Sequence, residues 1–182
     1  MSSDFIVMHC APTLSGVKVG NLVTQAYSSR EELYDFINAQ DELLRRKGVR
    51  IMLMRVSEKQ ALIYVYRQKQ LASLLSRDSV QQFLSGFGYR DFSPAACLGL
   101  LKSRLLLSDF PQEIGVFLGY PLADIQAFID NKGANCPLTG YWKAYTNIDR
   151  AQLIFSLYRR CTASCRKRYA KGTDILRLTA AG

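Results

Sequence analysis

The sequence predicts an α+β fold: a small sheet of about three strands from the N-terminal half packed with helices, then a helical C-terminal half. Three observations predict it. Residues 5–10 are a short apolar run just before Pro12. Residues 49–56 and 61–66 are rich in β-branched, Met and aromatic side chains, with a polar stretch at 57–60 between them. From Gln68 onward apolar residues recur at helical spacing.

The elements follow in order. The run 5–10 ends near a proline and reads as a buried strand. Residues 11–20 hold Pro12, Gly16 and Gly20 and read as the loop after it. Ser29 and Glu32 form an S-x-x-E capping box. Behind it Leu33, Phe36, Ile37 and Leu44 share one helical face, and Gly48 is a C-terminal stop. Residues 49–56 and 61–66 then form a hairpin, and with the first run they make three strands, about the minimum for a stable sheet. Leu71, Leu74 and Leu75, then Val80, Phe83 and Leu84, give two helical stripes broken by Gly86 and Gly88. Pro94 opens a helix continued by Leu98, Leu101 and Leu105. Pro111 starts a short helix ending near Gly119, and Pro121 starts another stopped by Gly133. Residues 136–140 form a turn, and the last helix runs from about Asp149 to Lys171. There is no internal repeat and no low-complexity linker, so residues 1–182 are expected to form a single domain, with 1–92 and 93–182 as its subdivisions.

The chain has 182 residues, 48% of them hydrophobic and 21% charged. These values exclude a disordered, collagenous or coiled-coil chain, and the length is enough to bury a core without a disulfide or metal. The formal net charge is +9, which favours anionic partners. It is concentrated in two blocks, 48–108 and 151–182, each with a net charge of +6. Residues 1–8 lack the pattern of a secretion signal. No run reaches the roughly 18 apolar residues of a membrane span. A cytoplasmic protein that engages no membrane is expected, and its five cysteines are expected as thiols or ligands.

Three candidate sites stand out. The first is a helix-turn-helix-like segment, 112–131, in which Ile114, Gly115, Leu118, Gly119, Tyr120, Ile125 and Phe128 carry the motif's spacing. With the basic blocks it points to nucleic acid as a partner, although the second helix offers Asp124, Gln126, Asp130 and Asn131 and no base. The second is a thiol site. Cys161 and Cys165 lie one helical turn apart, Cys136 lies upstream, and His9 and Cys10 end the first apolar run. Thiolates at Cys10, Cys136, Cys161 and Cys165 suit zinc, iron or an iron–sulfur cluster, and neighbouring arginines such as Arg160 and Arg166 would favour thiolate. This metal-binding or redox reading leads. The third is a small enzyme site in the 11–20 loop, where backbone N–H groups bind an anion and Cys10 acts as nucleophile assisted by His9 or Lys18. Two smaller signals are Tyr64, Tyr66 and Arg67, as a clamp for single-stranded nucleic acid, and the basic run 166–168, as a solvated helix face.

Four strings carry a family resemblance: His9-Cys10-Ala11-Pro12-Thr13-Leu14 with Gly16 and Lys18, then Phe110-Pro111-Gln112-Glu113-Ile114-Gly115-Val116-Phe117-Leu118-Gly119-Tyr120-Pro121, then Gly140-Tyr141-Trp142-Lys143, then Cys161-Thr162. In this order, over nearly the whole chain, they resemble an uncharacterised domain-of-unknown-function family of anaerobic Gram-positive bacteria. The resemblance implies a bacterial cytosolic setting and makes the Cys10 and Cys161 regions family features. It implies no reaction.

Overall fold

A computed structural model describes residues 2–107 and 110–181. The elements are α1 (Asp4–Leu14), β1 (Gly20–Ala26), α2 (Arg30–Arg45), β2 (Val49–Val56), β3 (Gln60–Arg67), α3 (Gln68–Leu75), α4 (Asp78–Ser85), α5 (Pro94–Arg104), α6 (Ile114–Phe117), α7 (Leu122–Asp130), β4 (Leu138–Thr139), β5 (Lys143–Ala144), α8 (Ile148–Tyr169) and α9 (Ile175–Leu178). The class is α+β, with a three-stranded antiparallel sheet in the N-terminal half and helices in the C-terminal half.

The sheet order is β1-β3-β2. β3 is buried on both faces, because its side chains alternate between two cores. Ala61, Ile63 and Val65 join Val49, Ile51 and Leu53 of β2 in the core under α1, α2, the C-terminal part of α8, and α9. Leu62, Tyr64 and Tyr66 face the other way, into the core built with α3 to α7. A third cluster, Trp142, Ala144, Ala151, Phe155 and Tyr158, holds the β4–β5 hairpin on the N-terminal half of α8. α8 thus returns to pack on α1, and the chain's two ends lie together on one face of the sheet.

The capping box is present as read: Ser29 Oγ accepts from the Glu32 amide and opens α2. The hairpin of residues 49–67 is also present, with a register shift between Leu53 and Arg55 that leaves Met54 on the second core.

Two readings are corrected. Residues 5–10 are helix, not strand. Eight of the eleven residues of α1 are buried, so it has no polar face and its apolar run mimics an inner strand. Pro12 is tolerated near its end. Proline donates no N–H to the carbonyl four residues earlier, and here that carbonyl, of Met8, accepts from Arg166 of α8. The third strand is instead β1, which pairs with β3 along its whole length, from Gly20↔Tyr66 to Ala26↔Gln60.

Arg67, at the end of β3, is only 3% exposed. Its guanidinium donates to the carbonyls of Thr13 (2.7 Å), Leu14, Lys47 (3.1 Å) and Ala180 (2.9 Å). It therefore caps α1 and ties it to the turn after α2 and to the C-terminal segment. The nucleic-acid clamp read at Tyr64, Tyr66 and Arg67 is corrected by the same facts: the two rings stack on each other inside the core and the arginine is spent on carbonyls.

Arg67→Met leaves buried carbonyls without donors and is expected to lower stability by about 3 kcal/mol in urea titration. Arg67→Lys is expected to recover little of it, because one ammonium cannot span four carbonyls.

Candidate functional site

The expected thiol centre does not assemble. Among the described residues no three His, Cys, Asp or Glu side chains are grouped so as to hold a metal ion. Cys10 and Cys165 are buried in the core under α1 and α8. Cys136 belongs to the β4–β5 hairpin, where its Sγ donates to the carbonyl of Leu138 at 2.9 Å. Cys161 is half-buried on α8. The ligand set for zinc, iron or an iron–sulfur cluster is therefore divided between separate parts of the fold. Nor do Cys10 and Cys161 gain thiolate character. Burial pushes the Cys10 thiol up to about 12. Burial and the neighbouring Cys165 raise that of Cys161, against a smaller lowering effect of Arg160. Desolvation outweighs the nearby arginines, and these cysteines pack as small apolar groups.

The anion loop read at 11–20 is also corrected. Residues up to Leu14 are helix, and the next amides are all used: Ser15 donates to Ala11, Gly16 to Thr13, and Val17 and Lys18 to Pro12. No backbone N–H of residues 15–18 is left for an anion. Cys10 faces the core and takes no part.

The helix-turn-helix reading fails on length. Its first helix, α6, has only four residues, too short to cross a DNA backbone. The motif's spacing reflects packing alone. A Cβ on Gly115 would lie 2.9 Å from Ile125 Cγ1, and Gly119 makes the turn at φ +74°. Asp124, on the second helix, is buried and faces the hairpin.

What does come together is a pocket of about 370 Å³ whose lining includes His9, Lys18, Asn21, Thr24, Tyr120 and Tyr141. His9 and Lys18 were singled out by residue type. Asn21 was not, and Tyr120 and Tyr141 were named only as parts of longer strings, because nothing local in the sequence brings residues over 100 positions apart to one place. Lys18 lies in the tight turn between α1 and β1. It is 4% exposed, and its Nζ donates to the Gly20 carbonyl at 2.6 Å and stands 5.4 Å from the centre of the Tyr120 ring. No carboxylate pairs with it among the described residues, where the ion pairs are Arg50–Asp41, Arg104–Glu113 and Arg177–Asp174. Burial lowers its pKa from 10.5 to about 8. Tyr120 is half-buried, and desolvation raises its pKa to about 12, so it stays neutral.

The walls are held by specific contacts. Asn21 Oδ1 accepts from Thr13 Oγ1 at 2.7 Å, which fixes the amide and leaves its NH₂ as a donor. Gly20 admits the Tyr64 ring, since a Cβ there would lie 2.6 Å from it, and Tyr64 donates to the Phe117 carbonyl. Gly119 lies against Val19. Together these pin the turn bearing Tyr120 over the start of β1. Tyr141 is placed by Asp124, whose carboxylate accepts from Trp142 Nε1 (2.7 Å), the amides of Tyr145 (2.9 Å) and Thr146 (2.8 Å), and Thr146 Oγ1 (2.8 Å). Burial works against its charge, but these donors outweigh it and hold its pKa below the ordinary value. Trp142 also packs its ring edge-on against Phe155. No described helix is long and apolar enough to cross a membrane.

The pocket joins three of the four strings that carried the family resemblance. Residues 6–179 match the family described as protein of unknown function (DUF3793), and the chain belongs to that family. No curated protein and no solved structure matches it.

Two outcomes follow from these placements. Brief iodoacetamide treatment of the folded protein is expected to label Cys136 and Cys161 and to spare Cys10, Cys97 and Cys165 until denaturant is added, as read by peptide mass spectrometry. Lys18 has a lowered folded pKa, so the unfolded chain binds more protons and its contribution to stability rises with pH. The stability of wild type relative to Lys18→Met is expected to climb by about 1 kcal/mol between pH 8 and 9. Above pH 9 the buried thiols of Cys10 and Cys97 act in the opposite sense in both proteins, because their folded pKa values are raised.

Proposed function

For this member of the DUF3793 family, we propose that the protein binds a small organic anion, such as a carboxylate, in the Lys18 pocket. The observation that carries the reading is a buried ammonium without a counter-ion among the described residues. Holding such a charge away from water costs free energy, and proteins normally pair it. Here one carbonyl and one aromatic face are its partners. An ammonium has three N–H donors, so two remain for a ligand. His9, Asn21, Thr24 and the two tyrosine hydroxyls supply further polar groups, and no acidic residue among the described ones lines the pocket. The volume falls in the range of small-molecule sites.

The reading gives a reason for a lysine at position 18, where a methionine would pack without the cost of burying a charge. The charge is costly in the empty protein and useful when an anion arrives. An anion beside the amine would restore its pKa towards the ordinary value, so binding and proton uptake are coupled. His9 is exposed at the rim and offers a further polar group there.

The test is thermal shift and calorimetry with sodium acetate, pyruvate, succinate and benzoate at pH 6.5 and pH 9.5. At least one salt is expected to raise the melting temperature at pH 6.5 relative to matched chloride. That effect is expected to be lost in Lys18→Met and to shrink at pH 9.5, where the free amine is mostly neutral. A response that survives in Lys18→Met, or none from any of the four, would refute the proposal.

A further inference from the structure

A second depression lies on the other side of Tyr120, between the start of α4 and the start of α8. It encloses about 420 Å³, and its lining includes Arg77, Ser79, Thr146, Asn147 and Arg150. Arg77 immediately precedes α4 and Arg150 lies in the first turn of α8. They come from positions 73 residues apart in the chain, and neither guanidinium forms an ion pair among the described residues. Asp124 is the carboxylate of the lining, and it is already committed to four hydrogen bonds. Asp78 and Asp149, next in sequence to these two regions, do not line it. A neighbouring depression shares Arg77 and adds Lys69, Gln70 and Ser73.

We propose that this groove binds the phosphate group of a small phosphorylated molecule, held by Arg77 and Arg150. Two guanidiniums lining one depression repel each other, and an anion bound there relieves that repulsion. Each presents a planar fork of N–H donors that matches phosphate oxygens. Ser79, Thr146 and Asn147 add hydroxyl and amide donors of the kind that complete a tetrahedral oxyanion. The first turns of α4 and α8 open here and add partial positive charge, although the arginines carry the argument. Lys69, beyond Arg77, extends the positive lining towards a second phosphate or a substituent. The aromatic floor is too deeply buried to offer stacking faces to a polynucleotide, since Trp142 is 7% and Tyr158 5% exposed. The size and depth of the groove instead fit one small molecule. The site does not depend on Lys18 or on the reading of its pocket.

The chain's single tryptophan, Trp142, lines the groove, so its fluorescence reports occupancy. Inorganic phosphate, pyrophosphate, AMP and a single-stranded deoxythymidine 12-mer would be titrated at fixed ionic strength. Pyrophosphate or AMP is expected to change the emission saturably. Arg77→Ala and Arg150→Ala should each weaken that binding by about tenfold, and Lys18→Met should leave it unchanged. Both arginines are exposed, so the variants are expected to melt as wild type does. Arg77→Lys with Arg150→Lys should bind, but more weakly than wild type. Saturation by phosphate alone, with no gain from pyrophosphate or AMP, would still place an anion there and support the site. Equal binding by wild type and both alanine variants would overturn the proposal. So would no response to any small probe, or binding confined to the 12-mer.

Discussion

One buried guanidinium holds the fold's ends in register. Arg67 stands at the last position of the central strand and donates to the end of α1, the turn after α2 and the C-terminal segment. A helix that ends inside a protein leaves carbonyls that water cannot reach. α1 is almost wholly buried, so its last carbonyls need such a donor. Desolvation lowers the guanidinium's pKa, yet an arginine still holds its proton. The fixed end of α1 sets the turn of residues 15–19, and that turn sets Lys18. Gln70 strengthens the same turn by donating to the Gly16 carbonyl. The candidate pocket thus depends on an interaction made at its back, among residues that do not line it.

Much of this architecture was legible because it rests on local rules. The Ser29 cap, the Leu33–Ile37–Leu44 stripe and the hairpin that follows are set by short-range periodicity. Pro94 and Ser93 open α5 as a helix start should, with Ser93 Oγ accepting from the Ala96 amide. The N-terminal error has the opposite origin. A helix enclosed by the sheet, α2, α8 and α9 carries apolar side chains all round, and no periodicity distinguishes it from an inner strand. The carbonyl its proline leaves without a donor, that of Met8, is met by a side chain 158 positions further along the chain. The arginine read as a solvated cation of the last helix, Arg166, is that remedy.

The candidate site divides in the same way. His9 and Lys18 were visible as chemistry-bearing residues, and the two basic blocks as charge. Their partners were not visible, because tyrosines in a buried turn and a hairpin carry no local signal of function. The cysteines misled for a related reason. Cys161 and Cys165 lie at helical spacing on a largely apolar stripe, where a thiol and a small hydrophobe look identical in sequence. Asp124 was read as a deterrent to DNA on an exposed face. It is a buried anchor for the hairpin that brings Tyr141 and Trp142 into place.

Tyr120 has to satisfy both depressions at once, and this accounts for the glycines beside it. Its ring forms the ceiling over Lys18 on one side, contacts Trp142 with ring centres 5.3 Å apart, and lines the arginine groove. The turn that carries it lies so close to β1 that Gly119 meets Val19 and Gly20 meets Tyr64 with no room for a side chain at either position. Gly119 also takes a left-handed conformation that L-residues adopt only at a cost. Close backbone approach over a lone buried ammonium is what excludes water from it and lowers its pKa. The same contacts that complete the second core therefore create the electrostatic property of the pocket, and stability and ligand recognition meet in a single turn.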